Sequence, residues 1–401
     1  MNAKYIAVKP SNMKIRHVLS VCILSIVFHS CKSNTDANTA TDVATEVISE
    51  ENIAEDTPIF SFSFMGCNRV NSGDAVDSIP STANKYALQR IFKELTVTQD
   101  QPELFFFLGD LVLAETTLPN LDSQLKAWES LYKSDAFSSS GIELVAVPGN
   151  HEMLYAKKVK TKHHKNGKWK EFPLKGSTDI WLNYMKPYMP SGRVTAPSSD
   201  TMDNRLTFAF KRHNVGFIVM NSDTYNPDSP DNPHGLGLEG QVPAQWVTDQ
   251  VKAYKADASV EHIFVLAHRP YYVDGKTETG HHGLPQGPEL WPVFQENHVA
   301  ALLSAHVHDY QRWQPINDNL GGGTYQIVAG NGGSEGAAPF FGYSTITVMK
   351  SGKLEVDSVG FCIGDPYTAA VPENPTISRD KITLTWAKNP MEFAQPYVGC
   401  D

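Results

Sequence analysis

The chain has 401 residues, 41% of them hydrophobic, enough for one large domain or two ordinary ones with a sizeable core. With 44 acidic against 34 basic side chains, its formal net charge is −10, which argues against a protein that coats nucleic acid. Nothing in the composition suits a fibrous or wholly disordered chain.

Lys14, Arg16 and His17 precede an apolar run from Val18 to Phe28. Its eleven residues fall short of the ~20 that span a bilayer and suit the apolar region of a secretory signal, for which Met13 is an alternative start. Ser30 and Cys31 then open a polar stretch, so residues 1–31 resemble a lipoprotein-type signal with Cys31 as the lipid site. A plain signal peptide or a short anchor is the alternative. On the first reading the protein is exported, to the periplasm or cell surface, and meets the membrane only through its lipid. Without its first 30 residues the chain keeps 30 basic side chains against 44 acidic ones, a net charge of about −14. Residues 32–57 are acidic, rich in Ser, Thr and Asn, and nearly free of large apolar residues, which reads as a disordered linker.

From Phe60 the texture changes. Phe60, Phe62 and Phe64 alternate with serines, a half-buried strand that stops at Gly66, Cys67, Asn68 and Arg69. Leu88, Ile91, Phe92 and Leu95 follow at helical spacing. "ELFFFLGD" is a buried strand ending at Asp110, and Leu121, Leu125, Trp128 and Tyr132 mark the face of a second helix. "IELVAVPGNHE" is a strand running into Asn150, His151 and Glu152. Residues 157–175 hold eight lysines and two histidines around an Asn-Gly turn; they read as a solvated hairpin or as a basic overhang that attracts an anion. Two strands flank Asn214, and Trp246, Val247, Val251 and Tyr254 line a helix. "HIFVLAHRP" and "VAALLSAHVH" are apolar strands ending at His268 and at His306 and His308. "TYQIVAGNGG" and "STITVM" close a core over residues 58–350, and residues 351–401 read as a less regular C-terminal extension. Strands alternating with helices and later pairing with one another indicate a layered α/β domain, with ligands at the loops beyond strand ends.

Five cysteines are present. Cys22 lies in the signal and Cys31 is the lipid candidate, while Cys362 and Cys400 could pair in an oxidising compartment. Cys67 is left over, at a strand end.

A lone histidine or a Gly-Asp after a strand is usually an ordinary loop residue. Five strand ends delivering Cys67, Asp110, Asn150 with His151, His268, and His306 with His308 suit one chemistry. Hydrolysing a phosphate ester needs a nucleophile at neutral pH and relief of negative charge, and bound metal ions supply both. A carboxylate can bridge two ions, and imidazole nitrogens with an amide oxygen fill the remaining positions.

"GD" at 109–110, "GNHE" at 149–152, His268 and "AHVH" at 305–308 resemble the calcineurin-like metallophosphoesterase superfamily. "AHRPYY", "SAHVHDYQRW", "YQIVAGNGG" and "YSTITV" are similar to its purple acid phosphatase branch. The resemblance covers about residues 58–350 and implies a four-layer α/β/β/α sandwich of two mixed sheets. It also implies two metal ions, from iron, zinc or manganese, and a small anionic phosphate ester hydrolysed by metal-bound water or hydroxide. Asp110 would bridge, with Asn150, His268 and His306 at one ion and His308 at the other. His151 would protonate the leaving oxygen or clamp the phosphate, with Glu152 orienting it. The first motif departs from the family: Cys67 and Arg69 stand where two ligands are expected, as with the cysteine that follows the first strand in the alkaline phosphatase D type. Cys67 is then a thiolate ligand or, alternatively, a small buried hydrophobe. Arg69 would grip a phosphate oxygen or cover the site mouth. Asn68 and Asn71 are spare oxygen donors, Glu115 is an unassigned neighbour, and His281 and His282 sit in a Gly-rich loop that reads as an ordinary surface loop or, by the resemblance, as one bordering substrate. Leu113 replaces the tyrosine of the purple enzymes, so no tyrosinate-to-iron colour is expected. The altered first motif keeps two alternatives open: a one-metal phosphodiesterase, and a surface binding protein that has lost turnover.

Overall fold

The computed structural model describes residues 56–70, 79–114, 117–160, 165–199, 202–224, 241–277, 283–336, 338–363, 373–386 and 400. The signal and nearly all of the acidic linker, with Asn71, Glu115, His281 and His282, lie outside the described residues. Strand β1 (Pro58–Met65) leads through helix α1 (Lys85–Val97) to β2 (Leu104–Leu108), helix α2 (Leu118–Ser134) and β3 (Glu143–Val147). A single-turn helix α3 (Asn150–Met153) opens the hairpin of β4 (Leu154–Val159) and β5 (Lys168–Pro173). Helix α4 (Ser177–Met185), β6 (Val194–Thr195), β7 (Phe208–Arg212), β8 (Val215–Met220), helix α5 (Ala244–Ala256) and β9 (His262–Ala267) come next. A small ribbon, β10 (Tyr272–Val273) and β11 (Lys276–Thr277), precedes helix α6 (Gly287–Glu296) and β12 (Ala301–Ser304). The last strands are β13 (Tyr310–Trp313), β14 (Tyr325–Ala329), β15 (Phe340–Met349), β16 (Leu354–Cys362) and β17 (Ile377–Leu384).

Two large sheets follow from these strands, in the orders β17-β16-β15-β1-β2-β3 and β13-β14-β12-β9-β8-β7-β6. Both are mixed: β1, β2 and β3 run parallel in the first, and β8, β9, β12 and β14 in the second, with antiparallel neighbours outside them. Strand side chains alternate between faces, and three apolar clusters result. Phe62, Phe106, Phe217, Phe264 and Leu303 pack between the sheets. Phe105, Phe107 and Leu144, on the other face of the first sheet, bury Leu88, Ile91 and Phe92 of α1 with Leu121, Leu125 and Trp128 of α2. Ile218, Val265 and Leu302 do the same for Val247 and Val251 of α5 and for Leu290 and Phe294 of α6. This is the four-layer α/β/β/α sandwich expected from the sequence. Local signals agree with it: the Asn84 side chain caps α1 through the Ala87 N–H, and Thr117 caps α2 through the Asn120 N–H.

The lysine-rich stretch is a hairpin, β4 against β5, with Gly167 at φ 81° in its turn. Residues after 350 depart from the expected irregular extension. β16 pairs with β15 along its length and β17 forms the sheet edge, so these residues complete the first sheet. Asp380 of β17 accepts a hydrogen bond from Tyr310 Oη at 2.8 Å and pairs with Arg312 Nε at 2.5 Å, tying the edges of the two sheets together. Cys362 and Cys400 form a disulfide, the pairing open to them in the sequence, and Cys67 remains a free buried thiol.

Candidate metal centre

The parallel strands all end on one side. β1 delivers Cys67, β2 Asp110, β3 Asn150 and His151, β9 His268, and β12 His306. Each chain must turn within one or two residues of its strand, and three of these residues turn through the left-handed region: Cys67 at φ 58°, Asp110 at 58° and His306 at 64°. That conformation costs about 1–3 kcal/mol for a residue with a Cβ, and such strain collects at functional sites. Glycines allow the loops to meet. A Cβ on Gly149 would stand 2.3 Å from Asp110 Oδ1, and one on Gly109 would stand 2.5 Å from His268 Nδ1. The backbone stitches the loops together: Cys67 N donates to the Gly109 carbonyl at 2.9 Å, Asn68 N to Asp110 at 3.0 Å, and Ala305 N to His268 at 2.9 Å.

Cys67 Sγ, an Asp110 carboxylate oxygen and a His268 ring nitrogen lie within 4.8 Å of one another, all buried. His268 Nε2 is 3.3 Å from Asp110 Oδ1 and 3.0 Å from Asn150 Oδ1. His306 Nδ1 is 3.0 Å from both Asn150 Oδ1 and His268 Nε2. The His306 N–H also points at Cys67 Sγ, at 3.1 Å. His268 Nδ1 sits 2.7 Å from the Leu108 carbonyl, which can only accept, so Nδ1 carries a proton and Nε2 is the nitrogen turned to Asp110 and Asn150. An amide oxygen, two imidazole nitrogens and a carboxylate therefore converge, and Asp110 Oδ1 also accepts the His151 backbone N–H at 3.3 Å. A single proton on His306 serves one of these lone pairs at a time, whereas a cation serves them together. The donor set fits divalent metal ions.

The charges around the centre are set by burial and by one another. Burial works against ionising Asp110, but His268, His151 and Arg69 outweigh it and hold the carboxyl well below its usual range. Burial, and then Asp110, push the Cys67 thiol up in the metal-free chain; a cation in contact with the sulfur acts in the opposite sense. Burial, followed by Arg69, lowers both His151 and His308, the latter to about 4.

The remaining expected residues take distinct places. His151 Nδ1 lies 3.0 Å from the Leu113 carbonyl, so that carbonyl orients the ring. Glu152 does not, contrary to expectation: its buried carboxylate accepts the N–H groups of Gly149, Asp110 and Val112 at 2.8, 3.1 and 3.0 Å. Consecutive residues on a helical turn face different ways, and Glu152 instead clamps the Asp110 loop to the Asn150 loop. Burial and then Asp110 push Glu152 up to about 8, against the pull of its three donors. Arg69 Nε stands 3.8 Å from Asp110 Oδ2, with its side chain 14% exposed. His308 Nδ1 bonds the Glu335 carbonyl, and the ring sits within the electrostatic reach of Arg69 and Asp110 rather than in the Asn150–His268–His306 cluster. Asn68 Nδ2 donates to the Asn84 and Gly332 carbonyls.

Three residues not singled out in the sequence join the centre. Arg269, fully buried, pairs through Nε with Asp223 Oδ1 at 2.7 Å and through Nη2 with Glu171 Oε2 at 3.0 Å. Its Nη1 is 3.4 Å from His306 Nε2. Burial disfavours its charge, yet Asp223 and Glu171 hold it above the ordinary arginine range. Asn150 Nδ2 donates to Glu171 Oε1 at 2.7 Å. Asp223 follows the end of β8 and Arg269 adjoins His268, so strand-end reasoning could have reached both; Glu171 lies among hairpin lysines and carried no signal.

The calcineurin-like phosphoesterase profile matches residues 73–310, more than half of the chain. The chain belongs to the calcineurin-like phosphoesterase family. No curated protein matches it. Among solved structures, PhoD is 14% identical with a TM-score of 0.51, the match covering 86% of this chain and 72% of that one, which agrees in fold. A purple acid phosphatase, PPD1 from yellow lupin (Lupinus luteus) seeds, is 17% identical with a TM-score of 0.47; the match covers 80% of this chain and 54% of that one. The chain thus spans about half the length of the lupin protein. The family is one of metal-dependent phosphoesterases, and the buried group of Cys67, Asp110 and His268 could hold a metal ion.

Proposed function

We propose that this phosphoesterase hydrolyses small anionic phosphate esters with two metal ions held at the strand ends. The convergence of Asn150 Oδ1, His268 Nε2 and His306 Nδ1, each pair 3.0 Å apart, carries the reading. Asp110, Asn150, His268 and His306 would hold one ion, and Asp110, Cys67 and His308 the other. Such ions, when bound, acidify water and offset charge on phosphoryl oxygens. Thiolate and imidazole donors favour zinc or iron, and the oxygen donors admit manganese. Arg69, beside Asp110 and partly open to solvent, binds a phosphate oxygen through its guanidinium. His151 is anchored at Nδ1 by the Leu113 carbonyl and uses Nε2 to protonate or clamp the departing ester oxygen. Glu152 keeps the Asp110 and Asn150 loops in register.

A one-metal phosphodiesterase is the second reading. It is favoured by Arg69 lying against the outer oxygen of Asp110 and by His308 bonding the Glu335 carbonyl. Export with a lipid on Cys31 goes with either reading. The Cys362–Cys400 disulfide supports an oxidising compartment, and no helix among the described residues is long and apolar enough to cross a membrane. The test is hydrolysis of p-nitrophenyl phosphate and bis(p-nitrophenyl) phosphate alongside metal analysis of the purified protein. Turnover that chelation abolishes and added metal restores is expected, with two ions per chain; one ion selects the second reading. No turnover of either ester with metal bound would overturn both.

A further inference from the structure

We propose that Glu171 is a positioning residue of the metal centre, delivered by the lysine-rich hairpin; the inference rests on the metal-site reading above. A side-chain amide presents an oxygen that can ligate a cation and an NH₂ that cannot, and nothing in its shape decides which faces the site. Here Glu171 decides it. An ionised carboxylate can only accept, so Asn150 turns Nδ2 towards Glu171 Oε1 at 2.7 Å and thereby aims Oδ1 at His268 and His306.

The other Glu171 oxygen acts on a second ligand candidate. It takes Arg269 Nη2 at 3.0 Å, and Asp223 takes Nε at 2.7 Å, so the guanidinium lies flat with Nη1 3.4 Å from His306 Nε2. A buried guanidinium is costly unless paired. Two carboxylates around it leave this group of charges at −1 overall, which favours a cation nearby. One hairpin side chain thus orients Asn150 directly and His306 through Arg269. The hairpin is rich in lysine, yet the residue tying it to the centre is acidic.

Glu171→Gln tests this, because Gln keeps the size but turns an NH₂ on either Asn150 Nδ2 or Arg269, donor against donor. Zinc and manganese dissociation constants, measured by competition with a chromogenic chelator, should rise about 10- to 100-fold, the usual effect of removing a partner behind a ligand. Circular dichroism should show the metal-free protein still folded. Lys157→Gln with Lys158→Gln, at exposed positions of the same hairpin, should leave the constants unchanged. Glu171→Asp keeps the charge but loses reach; it should weaken metal binding too and serves if the Gln variant does not fold. Metal affinity within twofold of wild type in a folded Glu171 variant would overturn the inference alone. Metal binding by the wild type that is indifferent to Asp110→Asn would overturn the site reading and the inference together.

Discussion

The same strands carry two opposite interiors. Midway along β1, β2, β8 and β9, Phe62 meets Phe106, Phe217 and Phe264 edge-on, with ring centroids 5.8, 5.0 and 5.1 Å away. One to three residues past the strand ends, the buried groups are a thiol, a carboxylate, an amide and imidazoles. The middle satisfies itself, since every buried atom has apolar neighbours. The ends do not, since they gather lone pairs with few hydrogens. Folding builds the first and pays for the second with left-handed residues at Cys67, Asp110 and His306. A middle of this kind specifies the fold, and an end of this kind asks for a cation.

Substitutions should therefore divide cleanly. Asp110→Asn removes the carboxylate shared by the proposed ion sites. Ester hydrolysis should fall about 10³- to 10⁴-fold, as expected when several kcal/mol of charge stabilisation is lost, while circular dichroism reports a folded chain. Phe62→Ala should do the reverse. It should cost about 3–5 kcal/mol in urea unfolding and leave kcat per folded molecule nearly unchanged. If Phe62→Ala lowered kcat as far as Asp110→Asn, the middle and the ends would not be separable.

His151→Gln sharpens the comparison within the ends. It should keep the metal content of wild type and lose about 10²-fold in kcat, chiefly for esters with poor leaving groups. Equal losses for nitrophenyl and alkyl esters would remove His151 from leaving-group protonation. Tyr310→Phe, at the tie between sheet edges, should have the smallest effect. Losing its hydrogen bond to Asp380 should cost about 1 kcal/mol of stability with no change in metal content.

The middle was legible because alternation and helical spacing are local. Phe62 and Phe64 in β1, and Leu88, Ile91 and Phe92 in α1, are buried as their spacing indicates. The ends were legible as a set of strand termini, and Asp110, Asn150, His268 and His306 do meet. What stayed hidden depends on pairing across the chain. Glu171 reaches Arg269 over 98 residues, and no local pattern marks that. The resemblance implies that Glu152 orients His151, whereas the helical turn sends it to three backbone N–H groups. The prolines after residue 350 suggest irregularity and mask the strands there. "LEVDSVGFC" nevertheless alternates, and its Leu354, Val356 and Ser358 are buried.

Anomalous diffraction from crystals of the metal-loaded protein, collected on either side of the zinc, iron and manganese edges, tests the central claim most directly. A peak bounded by Asp110, Asn150, His268 and His306 is expected, with a second between Asp110, Cys67 and His308 if two ions bind. A loaded crystal with no anomalous density in contact with Asp110 would contradict it.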